Sequence, residues 1–156
     1  MFHVRHAALP VLFLIAACSG GSPLEKRVVG AWQLDADALA SQVEEKADAN
    51  PNLPASARQM VGSLAAVLRE TQSTVTFAPD HSFTGETLAM GRRSTSKGEW
   101  RIEGEQLVIV QKEADGKAKE DTQRATVHAD RIEFSAEKNG QRMTMVLRPV
   151  AAAAPR

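Results

Sequence analysis

A rhythm of short strands constrains this 156-residue chain more than any other feature. From Ser73 onward, runs of β-branched and aromatic residues follow one another, each closed by a turn signal of Asp, Gly, Asn or Pro. The alternation predicts strands over residues 73–78, 82–88, 92–103, 106–113, 120–128, 131–136 and 141–148. Between them stand Pro79-Asp80-His81, Met90-Gly91, Gly104-Glu105, Asp115-Gly116, Ala129-Asp130 and Asn139-Gly140. Connections this short suit antiparallel hairpins, and a row of hairpins makes an up-and-down meander.

One more strand precedes the series. Val28, Gly30, Trp32 and Leu34 share one face of a period-two pattern, which places a strand over residues 27–35. The period then changes. Ala36, Leu39, Ala40, Val43 and Ala47 recur at helical spacing with Glu44, Glu45 and Asp48 opposite. Asn50-Pro51-Asn52-Leu53-Pro54 breaks that helix, and residues 55–70 form a second with Ala57, Met60, Val61, Leu64 and Leu68 as its apolar stripe. The expected fold is therefore mainly β with a helical hairpin (α+β): about eight antiparallel strands, with two helices inserted between strands 1 and 2. Closing the meander removes its exposed edges, and about eight strands leave an interior that side chains fill or that holds one small ligand.

The first 17 residues follow another plan. Arg5 and the amino group precede an apolar run from Ala7 to Ala17, which is too short for a span of about 20 residues and is interrupted by Pro10. It reads as a cleaved export signal. The only cysteine, Cys18, stands at the end of this run, so no internal disulfide is available to an exported chain. The core must hold the fold, and 43% hydrophobic residues are adequate although aromatics reach only 4%. Nineteen Lys and Arg balance nineteen Asp and Glu, so no field favours nucleic acid.

Leu14-Ile15-Ala16-Ala17-Cys18 resembles the lipobox of bacterial lipoproteins. The resemblance implies that the Cys18 thiol is acylated and becomes the first residue of the mature chain. Several acyl chains, each contributing about 0.8 kcal/mol per buried CH₂, would hold the protein on a membrane durably. Ser19 in place of Asp after Cys18 implies sorting to the outer membrane, with the domain in the cell envelope on the periplasmic face. Residues 18–23 then read as a lipidated Cys and flexible tether, residues 24–149 as one barrel domain, and residues 150–156 as a disordered tail.

Gly30-Ala31-Trp32 resembles the Gly-x-Trp signature of the lipocalin and calycin-type barrels, in which the Trp plugs the closed end. The same resemblance implies that Arg148, near the end of the last strand, packs on the face of Trp32, a contact worth about 0.5 to 2 kcal/mol. Two helices after the first strand are similar in placement to those of fatty-acid-binding proteins, where they form a lid over the barrel mouth.

The expected interior combines Trp32, Phe77, Phe83, Trp100, Ile109, Phe134, Met143 and Met145, the candidate ligand lining, with Leu34, Val75, Ile102, Leu107, Val127, Ile132 and Leu147. Two readings stay open. Either the Met143 and Met145 side chains supply an adaptable wall for an apolar or amphipathic ligand, or the same residues fill a solid core. Arg92, Arg93 and Lys97 form a local basic cluster, a candidate contact for an anionic partner or simply a solvated face.

Chemistry-bearing residues are sparse. His81 in a turn and His128 at a strand end have no second His or Cys at metal-ligand spacing, and no carboxylate pair or Gly-rich phosphate loop is evident. The chain is expected to be no enzyme and to need no cofactor or metal. A ligand-binding envelope lipoprotein is the leading expectation. The alternative is a solid barrel that recognises an envelope protein, as an assembly factor or hydrolase inhibitor, through loops near residues 87–96 and 115–121.

Overall fold

The computed structural model describes residues 22–138 and 141–150. The expected export signal, Cys18, the expected Asn139-Gly140 turn and residues 151–156 lie outside the described residues. Eight antiparallel strands close into one up-and-down barrel in sequence order: β1 Gly30–Leu34, β2 Gln72–Phe77, β3 Ser82–Ala89, β4 Arg92–Glu103, β5 Gln106–Ala114, β6 Lys117–Val127, β7 Ile132–Lys138 and β8 Gln141–Pro149. Helices α2 Ala36–Asp48 and α3 Ala55–Glu70 stand between β1 and β2, as the change of period requires.

The turns work as their residues dictate. Met90-Gly91 and Asp115-Gly116 each put two residues at positive φ, 52° and 72° then 50° and 74°, the geometry whose twist matches two-residue hairpins. Extra residues adjust the curvature: Lys97 pairs with Glu113 and Gly98 with Gln111, so Lys112 is unpaired between them and forms a β-bulge. At Gly98 no larger residue has room, because a Cβ there would stand 2.0 Å from Val110 O and 2.7 Å from the Phe83 ring.

The sequence reading of the first strand needs correction. Residues before Gly30 form a short helix, α1 Pro23–Val28, and Val28 is fully buried on it. The cause is local: the Ser22 hydroxyl accepts from Glu25 N at 3.2 Å while the Glu25 carboxylate accepts from Ser22 N at 2.7 Å, with Pro23 at the first helical position. Ser22 and Pro23, expected in the tether, thus belong to α1 and its cap.

The two barrel ends differ. Helix α1 packs under one end, which Trp32, Phe77, Trp100, Leu107 and Ile132 fill. Phe77 meets Trp100 edge-on at 6.0 Å and Phe83 at 6.2 Å, and the His81 ring lies 4.8 Å from Trp100. Both indoles are satisfied inside: Trp32 Nε1 donates to Val28 O at 2.8 Å and Trp100 Nε1 to Ala78 O at 3.0 Å.

At the other end the β1–β8 seam is short. Pairing covers only Trp32 to Leu34 against Leu147 to Pro149, followed by Asp35 N donating to Val146 O at 2.8 Å. Beyond that point β8 has a free edge, and α2 takes over the missing strand's role. The Gln42 side-chain amide donates to Thr144 O at 2.8 Å and accepts from Thr144 N at 3.2 Å, the pair of bonds that a strand residue would make. One turn further along, Lys46 Nζ donates to Arg142 O. An open edge is an invitation to pair with another chain, and this cap removes it. Helix α3 is held to α2 by Arg69, whose guanidinium bonds both Glu44 oxygens at 3.0 and 2.6 Å.

Candidate functional site

Above the packed end the interior opens into a cavity of about 200 Å³. Its apolar wall is made by Leu34, Val75, Phe83, Ile109, Phe134, Met145 and Leu147, one or more from nearly every part of the barrel. Its polar wall is Ser73, Ser96, Gln111, Asp121 and Gln123. Strand alternation explains the division. On β5, Leu107, Ile109 and Gln111 succeed one another on the inner face, and on β6 Asp121 and Gln123 pair with Gln111 and Ile109. The inner faces of these strands grow more polar towards the helical end, so the cavity is amphipathic along its axis.

Hydrogen bonds order the polar wall. Ser73 Oγ shares a bond with Thr87 Oγ1 at 2.8 Å, Gln123 Nε2 donates to Asp121 Oδ2 at 3.2 Å, and Gln111 Nε2 donates to Glu113 O at 3.4 Å. The helices contribute no residue to the lining. They hold the seam beside it, through the Gln42 and Lys46 bonds to β8.

Of the residues expected to line a ligand site, Phe83, Ile109, Phe134 and Met145 reach the cavity. Trp32, Phe77 and Trp100 lie in the packed end, and Met143 is 42% exposed. Sequence reasoning passed over the polar wall, although one signal was available: Gln111, Asp121 and Gln123 are in phase with Ile109, Ala125 and Val127 on the inward face.

Arg148 does not stack on Trp32. It pairs with Gln33, one residue out of phase with the buried indole, and therefore points outward. Its Nε donates to Asp35 Oδ2 at 2.7 Å, and another guanidinium nitrogen lies 3.7 Å from Asp130. This bond, and then the Ala38 N–H that Asp35 caps at the start of α2, hold the Asp35 carboxyl below the ordinary carboxylate value.

The basic cluster is spread over the barrel wall. Arg93 lies 3.3 Å from Glu86 and Lys97 3.6 Å from Glu113, both exposed, while Arg92 is exposed at the start of β4. Arg93 and Lys97 border an outer concavity on β2, β3 and β4 whose other residues include Thr74, Thr76, Thr84 and Thr95. His128 Nε2 stands 3.3 Å from Glu133 Oε2 without the alignment of a hydrogen bond, and His81 lies 3.5 Å from Glu25. Among the described residues no group of three or more His, Cys, Asp or Glu is placed to hold a metal.

A closed eight-strand barrel with one packed end and one cavity defines the architectural class. No protein-family model and no curated protein matches the chain. Solved structures of similar outline include As-p18, an extracellular fatty acid binding protein, at 11% identity and a TM-score of 0.44, covering 81% of this chain and 99% of that one. The REP1-NXSQ fatty acid transporter has 14% identity and a TM-score of 0.39 over 80% of this chain and 97% of its own. The fluorescent protein UnaG, as its N57A mutant, has 16% identity and a TM-score of 0.41 over 81% and 99%.

Proposed function

We propose that the chain is a non-enzymatic lipoprotein of the cell envelope, anchored through acylated Cys18, whose barrel holds one compact amphipathic molecule. The observation that carries the binding reading is the one-ended interior. Aromatic packing and α1 seal one end, and the void beyond has an apolar wall and a polar wall. Burying an apolar tail against Phe83, Phe134 and Met145 is favourable by about 25 cal/mol per Å², and the polar wall orients the head. At about 200 Å³ the space holds roughly seven water-sized fragments, which limits the ligand to a short one.

The anchor reading is supported by the lipobox and by the short stretch of chain between it and α1. Ser22 is four residues beyond Cys18, a reach of at most about 14 Å, and the helix it caps packs on the sealed end. On this reading the sealed end faces the bilayer. Native mass spectrometry of the delipidated protein mixed with envelope lipid extract and short amphiphiles tests the binding. A bound small molecule that Met145→Trp abolishes, without loss of folding, is the expected result; no uptake by the wild type overturns it. For the anchor, Cys18→Ser should abolish acylation and normal maturation, and a product that still matures normally and stays firmly in the membrane fraction overturns that part.

Recognition of an envelope protein is the second reading. It is favoured by the size of the cavity, below the roughly 300 Å³ at which ligand pockets usually begin, and by the outer concavity on β2, β3 and β4. Cross-linking in intact cells from a photo-reactive residue at Thr84 would recover one specific protein on this reading and none on the first.

A further inference from the structure

The polar wall also selects the head group of the ligand, and this step depends on the cavity being a binding site. Among the described residues its one formal charge is the Asp121 carboxylate. The donors beside it are partly engaged: one amide hydrogen of Gln123 goes to Asp121 Oδ2 and one of Gln111 to Glu113 O. What the wall offers a newcomer is therefore weighted towards acceptors, namely the second Asp121 oxygen, the amide oxygens of Gln111 and Gln123, and the lone pairs of the Ser73 and Ser96 hydroxyls.

The cations at mid-strand positions beside this wall point away from it. Lys97, Lys112 and Arg124 stand on outward positions of β4, β5 and β6, where they face Glu113, Glu99 and Glu103. Arg92 and Lys119 fall in the inward phase of β4 and β6, in line with Ser96 and Asp121, but they are exposed, outside the lining and nearer the ends of their strands. A carboxylate or phosphate head seated in the polar wall would meet Asp121 first. An ammonium head would find a carboxylate oxygen and two amide oxygens, the partners that its hydrogens need.

We infer that the cavity takes a compact amphiphile with a cationic, hydrogen-bond-donating head, a short-chain primary ammonium compound, and that Asp121 is the residue that discriminates. Calorimetric titration of the full chain with octylammonium, 1-octanol and octanoate, at low salt, tests it. Octylammonium should bind more tightly than octanoate, and Asp121→Asn should weaken octylammonium about fivefold, the scale of one partly solvated ion pair, while 1-octanol is unchanged. Asp121→Glu should keep the preference.

Octanoate binding as tightly as octylammonium, with both abolished by Met145→Trp, would overturn the head-group assignment and leave the cavity reading standing. An octylammonium preference that survives Asp121→Asn would likewise overturn the role given to Asp121. No heat or competition from any of the three would overturn the cavity reading itself, and the assignment with it.

Discussion

The two ends of the barrel are built from the same eight strands but by different means. At the sealed end, side chains interlock: Trp100 is 2% exposed, Phe77 1%, and α1 adds the fully buried Val28. At the helical end, polar side chains reach across to backbone: Gln42 and Lys46 finish the edge of β8, and Asp35 with Arg148 holds the seam. Tight packing supplies stability and leaves no room. Hydrogen-bonded side chains close an edge at less cost to opening, so the difference separates the part that holds the fold from the part that can admit a ligand.

Truncating the sealed end should cost the most. Phe77→Ala removes a ring that contacts both Phe83 and Trp100, and a buried Phe→Ala change costs about 3–5 kcal/mol. Met145→Ala, on a side chain 38% exposed beside an existing void, should cost only about 1–2 kcal/mol because less contact is lost. Urea unfolding of both variants measures the gap, and equal costs would break the comparison.

Gly98 stands where the two regions meet. Its absent side chain lets the Phe83 ring lie against β4, and an added methyl meets backbone at Val110 O as well as the ring. Gly98→Ala should destabilise by about 2–3 kcal/mol, since overpacking forces backbone to move. A neutral Gly98→Ala would mean that the bulge at Lys112 shifts freely, and that the cavity wall is softer than its register implies.

Much of this was legible in the sequence, and for physical reasons. Strand alternation and turn residues carry register, so β2 to β5 lie within a residue or so of where the pattern puts them, and α2 and α3 follow from the change to helical spacing. Other features were missed where a local signal was read in the wrong frame. The period-two reading of Val28 and Gly30 extended the first strand backwards across Ser22-Pro23-Leu24-Glu25, a capping box that starts α1. Arg148 was placed by resemblance, but one residue of phase sends a strand side chain to the other face. Val108 shows the opposite limit: it points outward yet is fully buried, because register sets it between Arg101 and Arg124, both bonded to Glu103. The edge cap by Gln42 joins residues 102 positions apart, and no local pattern announces it.

That cap gives a smaller, regional prediction. Gln42→Ala withdraws both bonds from Thr144, each worth about 0.5–1.5 kcal/mol net, with water able to replace part of them. Amide exchange at Thr144 should quicken about fivefold, on the order of 1 kcal/mol, while the amide of Trp100 at the sealed end keeps its rate. Equal acceleration at both amides would show that the barrel opens as one unit.

The smallest effect concerns the charge at the seam. Arg148, and then the Ala38 N–H, favour the ionised Asp35 carboxylate, so its folded value lies below the ordinary 3.8. A depressed carboxyl stabilises the fold above its unfolded value, and that contribution drains away as pH falls from about 4 through the lower folded value. Asp35→Asn keeps an oxygen to cap α2 and removes both the charge and the acceptor that Arg148 meets. Because the Arg148 side chain is 54% exposed, solvent screening holds the difference between wild type and variant to about 0.5–1 kcal/mol at pH 6. The two urea midpoints should converge as the pH is lowered below 4; a gap that persists unchanged at low pH would assign the Asp35 contribution to packing and capping, and would make the seam resemble the sealed end more than it now does.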